Sequence, residues 1–251
     1  MKKSAGEKAF DVFNVVVLFF LGIITLYPII YMFALSLNEG MDAAKGGIYL
    51  FPRKFTLFNY QMVLSNPIMK SGYLITIGRT VLGTALSIFI TALFAYGLSF
   101  RDMPYRRAIV IYVLIPMLFS GGIVPYYLQL RNLKLLNTFW VYIIPGMFGI
   151  WNMFVMNRFF MDIPESLRES AYIDGANHYQ ILFKIIFPVS LPMLAAVSLF
   201  TAVGHWNDWF SGAFYVSDIK LIPIQTYLQQ LLSASDLSVF LSSGGAETAV
   251  Q

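Results

Sequence analysis

Five stretches of the chain run without Asp, Glu, Lys or Arg: residues 12–38, 80–100, 108–130, 135–157 and 185–207. A helix needs about 20 apolar residues to cross a hydrocarbon core of about 30 Å, and each stretch reaches that length. The runs do not alternate apolar and polar positions, as barrel strands would, so they predict helices. The first run is longer than the apolar core of a signal peptide, and no small-residue cleavage site follows it. The pattern therefore predicts an all-α membrane protein, a polytopic helix bundle with five visible spans. Several runs carry helix breakers: Pro28 in the first, Pro145 in the fourth, Pro188 and Pro192 in the fifth. In the third, Pro116, Gly121, Gly122 and Pro125 could bend the helix sharply. Proline removes a backbone donor, which lipid cannot replace, so such breaks suit a bundle lining a pathway.

Composition agrees with this reading. Of 251 residues, 58% are hydrophobic and 12% charged, with a mean hydropathy of +0.68. A soluble domain carries roughly twice that share of charge. Aromatic residues make up 17%, which excludes a disordered chain. There is no cysteine, hence no disulfide framework, thiolate metal site or Cys nucleophile. The net charge of +4 is spread thinly between apolar runs, which argues against nucleic-acid binding.

Charge also suggests an orientation. Lys2, Lys3 and Lys8 precede the first span, which predicts a cytoplasmic N-terminus, residues 1–11. Residues 101–107 and 158–184 then lie inside; 39–79, 131–134 and everything after Asp208 lie outside. Nine Lys and Arg fall inside and eight outside, but the inside loops are shorter, so their basic density is higher. The spans and their loops, residues 12–207, form the expected transmembrane domain, and 208–251 an external segment. Within the tail, residues 221–241 contain Asp236, several amides and serines, and read as an amphipathic segment rather than a span.

One inside loop carries a further signal. Residues 158–184 read RFFMDIPESLRESAYIDGANHYQILFK. Pro164 can open a helix, with Glu165 and Glu169 where the dipole favours acids. Asp174-Gly175 marks a turn, and residues 179–186 lead into the fifth span. The result is a helix–turn–helix at the membrane surface, whose Leu167, Ala171, Tyr172, Ile173 and Phe183 exceed what a solvated loop needs. Such a knob suits a groove on a cytosolic partner.

This loop resembles the EAA motif of permease subunits of bacterial ATP-binding-cassette importers. Glu169, Ser170 and Ala171 stand for Glu-Ala-Ala; Gly175 follows after three residues, Ile185 after nine more, and Pro188 closes the pattern with Phe187 where Leu is usual. Asp174 and Pro192 fit the carbohydrate-importer version. Tyr27-Pro28, Ser36-Leu37, Phe51-Pro52, Asn59-Tyr60 and Ala95-Tyr96-Gly97 resemble successive parts of maltose-type permeases. The run from Phe119 to Pro125 resembles a subgroup carrying pectin-, xylan- or alginate-like oligosaccharides, and Trp206-Asn207-Asp208-Trp209 fits the motif ending the fifth helix. The family has a sixth helix near its C-terminus; here it looks absent, which implies a truncated chain or a variant.

The resemblance implies a type I importer permease that moves a sugar or oligosaccharide across the bacterial cytoplasmic (inner) membrane. It implies a second permease subunit as heterodimer partner, two ATPase subunits beneath the EAA loops, and an extracytoplasmic substrate-binding protein. No G-x-x-x-x-G-K-[ST] pattern occurs in the sequence, so ATP and Mg belong to the partner ATPase, no catalytic residue or metal site is expected, and this chain is not an enzyme. Glu169 and Gly175 would shape the coupling loop, Ala171, Tyr172 and Ile173 would fill the ATPase groove, and Ser170, Asp174, Ile185 and Pro188 would complete the motif. Substrate would meet Tyr96, Asn152, Trp206, Asn207, Asp208 and Trp209, which bring aromatic faces, amides and a carboxylate to span interiors or ends. An ion-coupled transporter or channel would want charged residues inside its spans, and a membrane enzyme clustered acids or histidines; the five runs offer neither.

Overall fold

The computed structural model describes residues 4–242, which divide into two compact units, up to Pro67 and from Ile68 onward. Lys2 and Lys3 of the basic N-terminal cluster, and the tail beyond residue 242, lie outside the described residues. The described residues are mostly helical, and the one β-type pairing is an isolated bridge between Asn38 and Phe55.

The first unit opens with α1 (Ala5–Ser36). Ser4 and Glu7 form a reciprocal capping box that starts it. From Phe10 to Phe33 its large apolar side chains are exposed around the whole circumference, the mark of a helix meant for an apolar surrounding. The following loop is tied by Asn38, which is fully buried. The Asn38 side-chain amide donates to Asp42 Oδ2 (3.2 Å), and its Oδ1 accepts the Lys54 amide (2.8 Å). Arg53 Nε reaches the same carboxylate oxygen at 3.1 Å. Helix α2 (Phe58–Ser65) is held by Asn59, which donates to the carbonyls of Ser36 and Asn38, while Tyr60 and Ser36 share a 2.8 Å hydroxyl contact.

The second unit is built on α3 (Pro67–Leu98). Residues 80–100 predict a later start, with Arg79 in the preceding loop. The helix instead begins at Pro67 and carries Arg79 inside it, fully buried. One buried side chain broke the charge-free run, but not the helix. Gly72, Thr76, Gly83, Ser87, Thr91 and Ala95 fall on the buried side of α3, small residues that let neighbouring backbone approach closely. Thr91 Oγ1 accepts the Gly149 amide (3.1 Å), and Asn157 donates to the Ala95 carbonyl (2.9 Å).

The third run is not one straight crossing. Helices α4 (Arg106–Leu118) and α5 (Ile123–Asn132) meet at 113°, broken by Gly121-Gly122 with Gly122 at φ +87°. The fourth run starts as 3-10 turns (Phe139–Gly146) and bends 45° into α6 (Ile150–Asp162), which extends past Asn157 into the predicted loop. Then come α7 (Glu165–Ile173) and α8 (His178–Val189), the latter passing through a π-turn at Leu182–Ile186. α8 bends 83° into α9 (Leu191–Asn207), so residues 185–207 are a broken helix. Two helices, α1 and α3, are individually long and apolar enough to span a membrane; counting each bent pair as one span gives up to five. After α9 come α10 (Phe210–Tyr215) and α11 (Ile224–Ser242). α11 occupies the segment expected to be amphipathic and is not among the described helices long and apolar enough to span a membrane.

Two cores result. One joins Ala92, Ala95 and Tyr96 of α3 to Met153, Met156 and Phe160 of α6, Ala171 of α7, and Ile181, Leu182 and Ile186 of α8. The other gathers Leu130, Val141, Tyr142, Ile143, Tyr215 and Val216.

Candidate functional site

The elbow between α6 and α9 forms as its sequence dictates. Pro164, extended at ψ 129°, ends one helix and precedes α7, whose first turn holds Glu165. Gly175 at φ +79° closes α7. Its amide donates to the Tyr172 carbonyl (3.0 Å), and the Ala176 amide to the Ala171 carbonyl (2.9 Å). This paired C-terminal closure needs a left-handed residue, for which glycine carries no Cβ penalty. Two residues on, Asn177 starts α8: its Oδ1 accepts the Gln180 amide and Gln180 Oε1 accepts the Asn177 amide, each at 2.9 Å. Ser170 Oγ donates to the Ser166 carbonyl (2.7 Å) on the outer face of α7.

The inner side of the elbow is fastened to the bundle. Buried Arg168 donates to the Phe160 carbonyl at the end of α6 (2.6 Å), and its guanidinium lies 5.1 Å from the Phe100 ring and 5.6 Å from the Tyr96 ring. His178 sits among the rings of Tyr96, Phe100 and Tyr172, and its Nδ1 is 2.8 Å from the Tyr172 hydroxyl. Both α7 and α8 are thus tied to the end of α3. On the outer side, Ile173 is 86% exposed, with Leu167, Tyr172 and Tyr179 also exposed. Ile173 is thus an exposed apolar side chain on a well-fixed turn.

The predicted elbow residues therefore divide. Glu169, Ser170, Tyr172, Ile173, Asp174 and Gly175 lie on the exposed side. Ala171 does not: it is buried in the chain's own core, so it packs α7 onto the bundle and cannot fill a groove elsewhere. Its place one position before Tyr172 turns it inward on the helix. Ile185 is half-buried in the π-turn, and Pro188 is exposed in the last turn before the 83° bend at Ser190.

The six substrate-path candidates do not gather in one place. Tyr96 packs beneath Arg168 and His178, at the elbow end of α3. Arg79, on the same helix but seventeen positions before Tyr96, or about 25 Å along the axis, is the residue that binds Asp208. Asn152 donates to Thr201 Oγ1 (3.1 Å), a bond between α6 and α9. Trp206, Asn207 and Trp209 are exposed around the end of α9, and the Trp209 carbonyl accepts from Thr226 (2.8 Å). Asp208 lines a cleft of about 320 Å³ with Tyr126, Tyr142, Thr201, His205 and Ser211.

Two residues central to these ends were invisible to the motif. Arg168 sits between Glu165 and Glu169, where charge usually means solvent, yet it is buried. Arg79 lies between apolar stretches that, read across it, would have announced one long helix. Arg79 Nη1 is 3.3 Å from Asp208 Oδ2, its Nη2 donates to the carbonyls of Asp208 and Trp206, and its guanidinium lies 5.2 Å from the Tyr142 ring. Beside it the His205 ring lies so close to α3 that a Cβ on Gly83 would stand 2.7 Å from it.

The comparisons with known proteins agree with this architecture. The family model described as "Binding-protein-dependent transport system inner membrane component" matches residues 8–244. Protein LplC of Bacillus subtilis is 37% identical over 238 residues, 95% of this chain and 81% of LplC. The polygalacturonan/rhamnogalacturonan transport system permease protein YtcP of the same organism is also 37% identical, over 91% of this chain and 80% of YtcP. Among solved structures, a bacterial ABC transporter involved in the import of the acidic polysaccharide alginate aligns with TM-score 0.85 and 30% identity, covering 96% of this chain and 88% of that one. The bent helices, the fastened elbow and these similarities lead to one conclusion: the chain belongs to the binding-protein-dependent transport system inner membrane components, the non-enzymatic permease subunits of ABC importers, with the type I permease fold.

Proposed function

We propose that this chain is one of two permease subunits, forming a heterodimer, in an ATP-driven importer that carries a sugar or oligosaccharide of the acidic, pectin- or alginate-like kind across the cytoplasmic membrane. The names of the relatives and the structural neighbour support the substrate class. Two ATPase subunits holding ATP and Mg dock beneath the elbows, and an extracytoplasmic binding protein delivers the sugar. The N-terminus, residues 1–11, is cytoplasmic; residues 12–207 form the membrane domain with its elbow at 158–184, and 208–251 lie outside.

One observation carries the mechanism: an elbow exposing Ile173 and Tyr172 outward is locked inward through Arg168 and His178. When ATP draws the ATPases together, a push on Ile173 and Tyr172 passes through α7 to α6 and α3 without being absorbed by the turn. Glu169, Ser170, Asp174 and Gly175 shape that turn; Ile185 and Pro188 pass its motion to α9. Beside Arg79, farther along α3 from the elbow, Trp206, Asn207, Asp208 and Trp209 border the sugar path, with Asn152 between α6 and α9. Tyr96 serves the elbow.

The test is the complete importer in vesicles with loaded binding protein. Gly175→Val forces a β-branched residue into a left-handed conformation, which costs about 1–2 kcal/mol. The expected result is an assembled complex that hydrolyses ATP without moving sugar. Normal uptake by this variant overturns the reading.

A further inference from the structure

The buried pair at Arg79, midway along α3, has a consequence for what the cleft admits. Arg79 is fully buried, whereas the Asp208 side chain is 32% exposed and lines the 320 Å³ cleft. Only the carboxylate side of the pair faces the cleft. Its second oxygen, Oδ1, accepts the Ser211 amide at 3.1 Å, which fixes the carboxylate in place. A guanidinium stays charged, so Arg79 cancels most of the Asp208 field at distances well beyond their 3.3 Å separation.

We infer that Arg79 is a specificity-determining residue: by neutralising Asp208 from behind, it makes this cleft passable to anionic sugars that a bare carboxylate would repel. Arg79 does not touch the sugar. The residues that can are Asp208, as an acceptor for sugar hydroxyls, and the rings of Tyr126 and Tyr142. In a cleft with protein walls, an uncompensated charge acts with less screening than in open water. Loss of either partner should therefore shift the cleft's preference in opposite directions. The sugar part of this inference rests on the acidic-substrate reading above; the charge part stands without it.

The chain has no cysteine, so a cysteine placed at Ser211, in the lining of the cleft, reports its potential directly. In the assembled importer, the rates of modification of Ser211→Cys by an anionic and a cationic methanethiosulfonate of similar size give a ratio. Adding Arg79→Met should lower the anionic-to-cationic ratio by about tenfold, Asp208→Asn should raise it by about tenfold, and the double variant Arg79→Met/Asp208→Asn should return it towards the starting value. Asp208→Asn tests the inference even where Arg79→Met fails to assemble. Uptake of digalacturonate against its uncharged methyl ester should follow the same order. Ratios unmoved by Asp208→Asn overturn the inference. A wild-type importer that moves neither sugar, with reagent ratios shifting as stated, removes the acidic-substrate reading and leaves the role of Arg79 in cleft charge standing.

Discussion

The Tyr172 hydroxyl stands 2.8 Å from Nδ1 of His178 and so joins the two limbs of the elbow across the Gly175 turn. The same imidazole meets the rings of Phe100 and Tyr96 at the end of α3. His178 is therefore the point at which α7, α8 and α3 are held together, and its bond is the most accessible part of that junction.

Tyr172→Phe removes the bond and keeps the ring. A neutral hydrogen bond contributes about 1 kcal/mol, so the variant should fold and assemble. Its expected effect is on coupling: about a fivefold fall in sugar moved per ATP hydrolysed, with basal hydrolysis retained. His178→Phe should match it. The measurement is paired ATPase and uptake rates in the same vesicles; an unchanged ratio would show that the bond plays no part in transmission.

Arg168 is a different case, because its removal touches the core. Its guanidinium satisfies the Phe160 carbonyl at the end of α6 and covers two aromatic rings. Hydrogen bonds from a charged donor contribute about 1.5–3 kcal/mol. Arg168→Met keeps the apolar stem but leaves that carbonyl unpaired. Thermal unfolding in detergent should shift down, and α7 amides should exchange faster than those of α3. Equal exchange protection in variant and wild type would refute the anchoring role.

The loop after α1 makes a prediction in pH. The Asn38 amide, more than the nearby Arg53, holds the Asp42 carboxyl below its ordinary range. A carboxylate with a depressed folded-state value adds stability above the ordinary aspartate range, near pH 4, and loses it as pH falls through the lower folded-state value. The loop should thus hold its shape down to about pH 4 and open below it. Asn38→Ala should move that opening to higher pH. Exchange of the Thr56 amide, which donates to the Leu37 carbonyl at 2.8 Å, reads the transition. A transition at the same pH in Asn38→Ala would show that Asn38 does not set it.

Much of the elbow could be read in advance because its signals are local. Pro164, the Asp174-Gly175 turn and the spacing to Pro188 act within a few residues, and backbone sterics alone favour glycine where φ is +79°. The inward turn of Ala171 was missed: an apolar residue beside exposed Tyr172 and Ile173 reads alike whichever side it faces, until the packing surface is known. The third run shows a local signal read only in part. Gly121-Gly122 announced a bend, but not that the two pieces would meet at 113°.

Arg79 marks the other limit. Counting charge-free residues treats every Arg as a span boundary, because an isolated charge in lipid is costly. The partner that removes that cost, Asp208, lies 129 positions away and comes alongside only when α9 packs against α3. By itself the sequence determined what depends on solvent and on neighbours along the chain: membrane-length apolar runs, helix breaks, and a turn of fixed spacing. Tertiary structure decided which charges are neutralised, which of two adjacent elbow residues faces outward, and that Tyr96 and Asp208 lie at separate places along one helix, because each depends on contacts between distant segments.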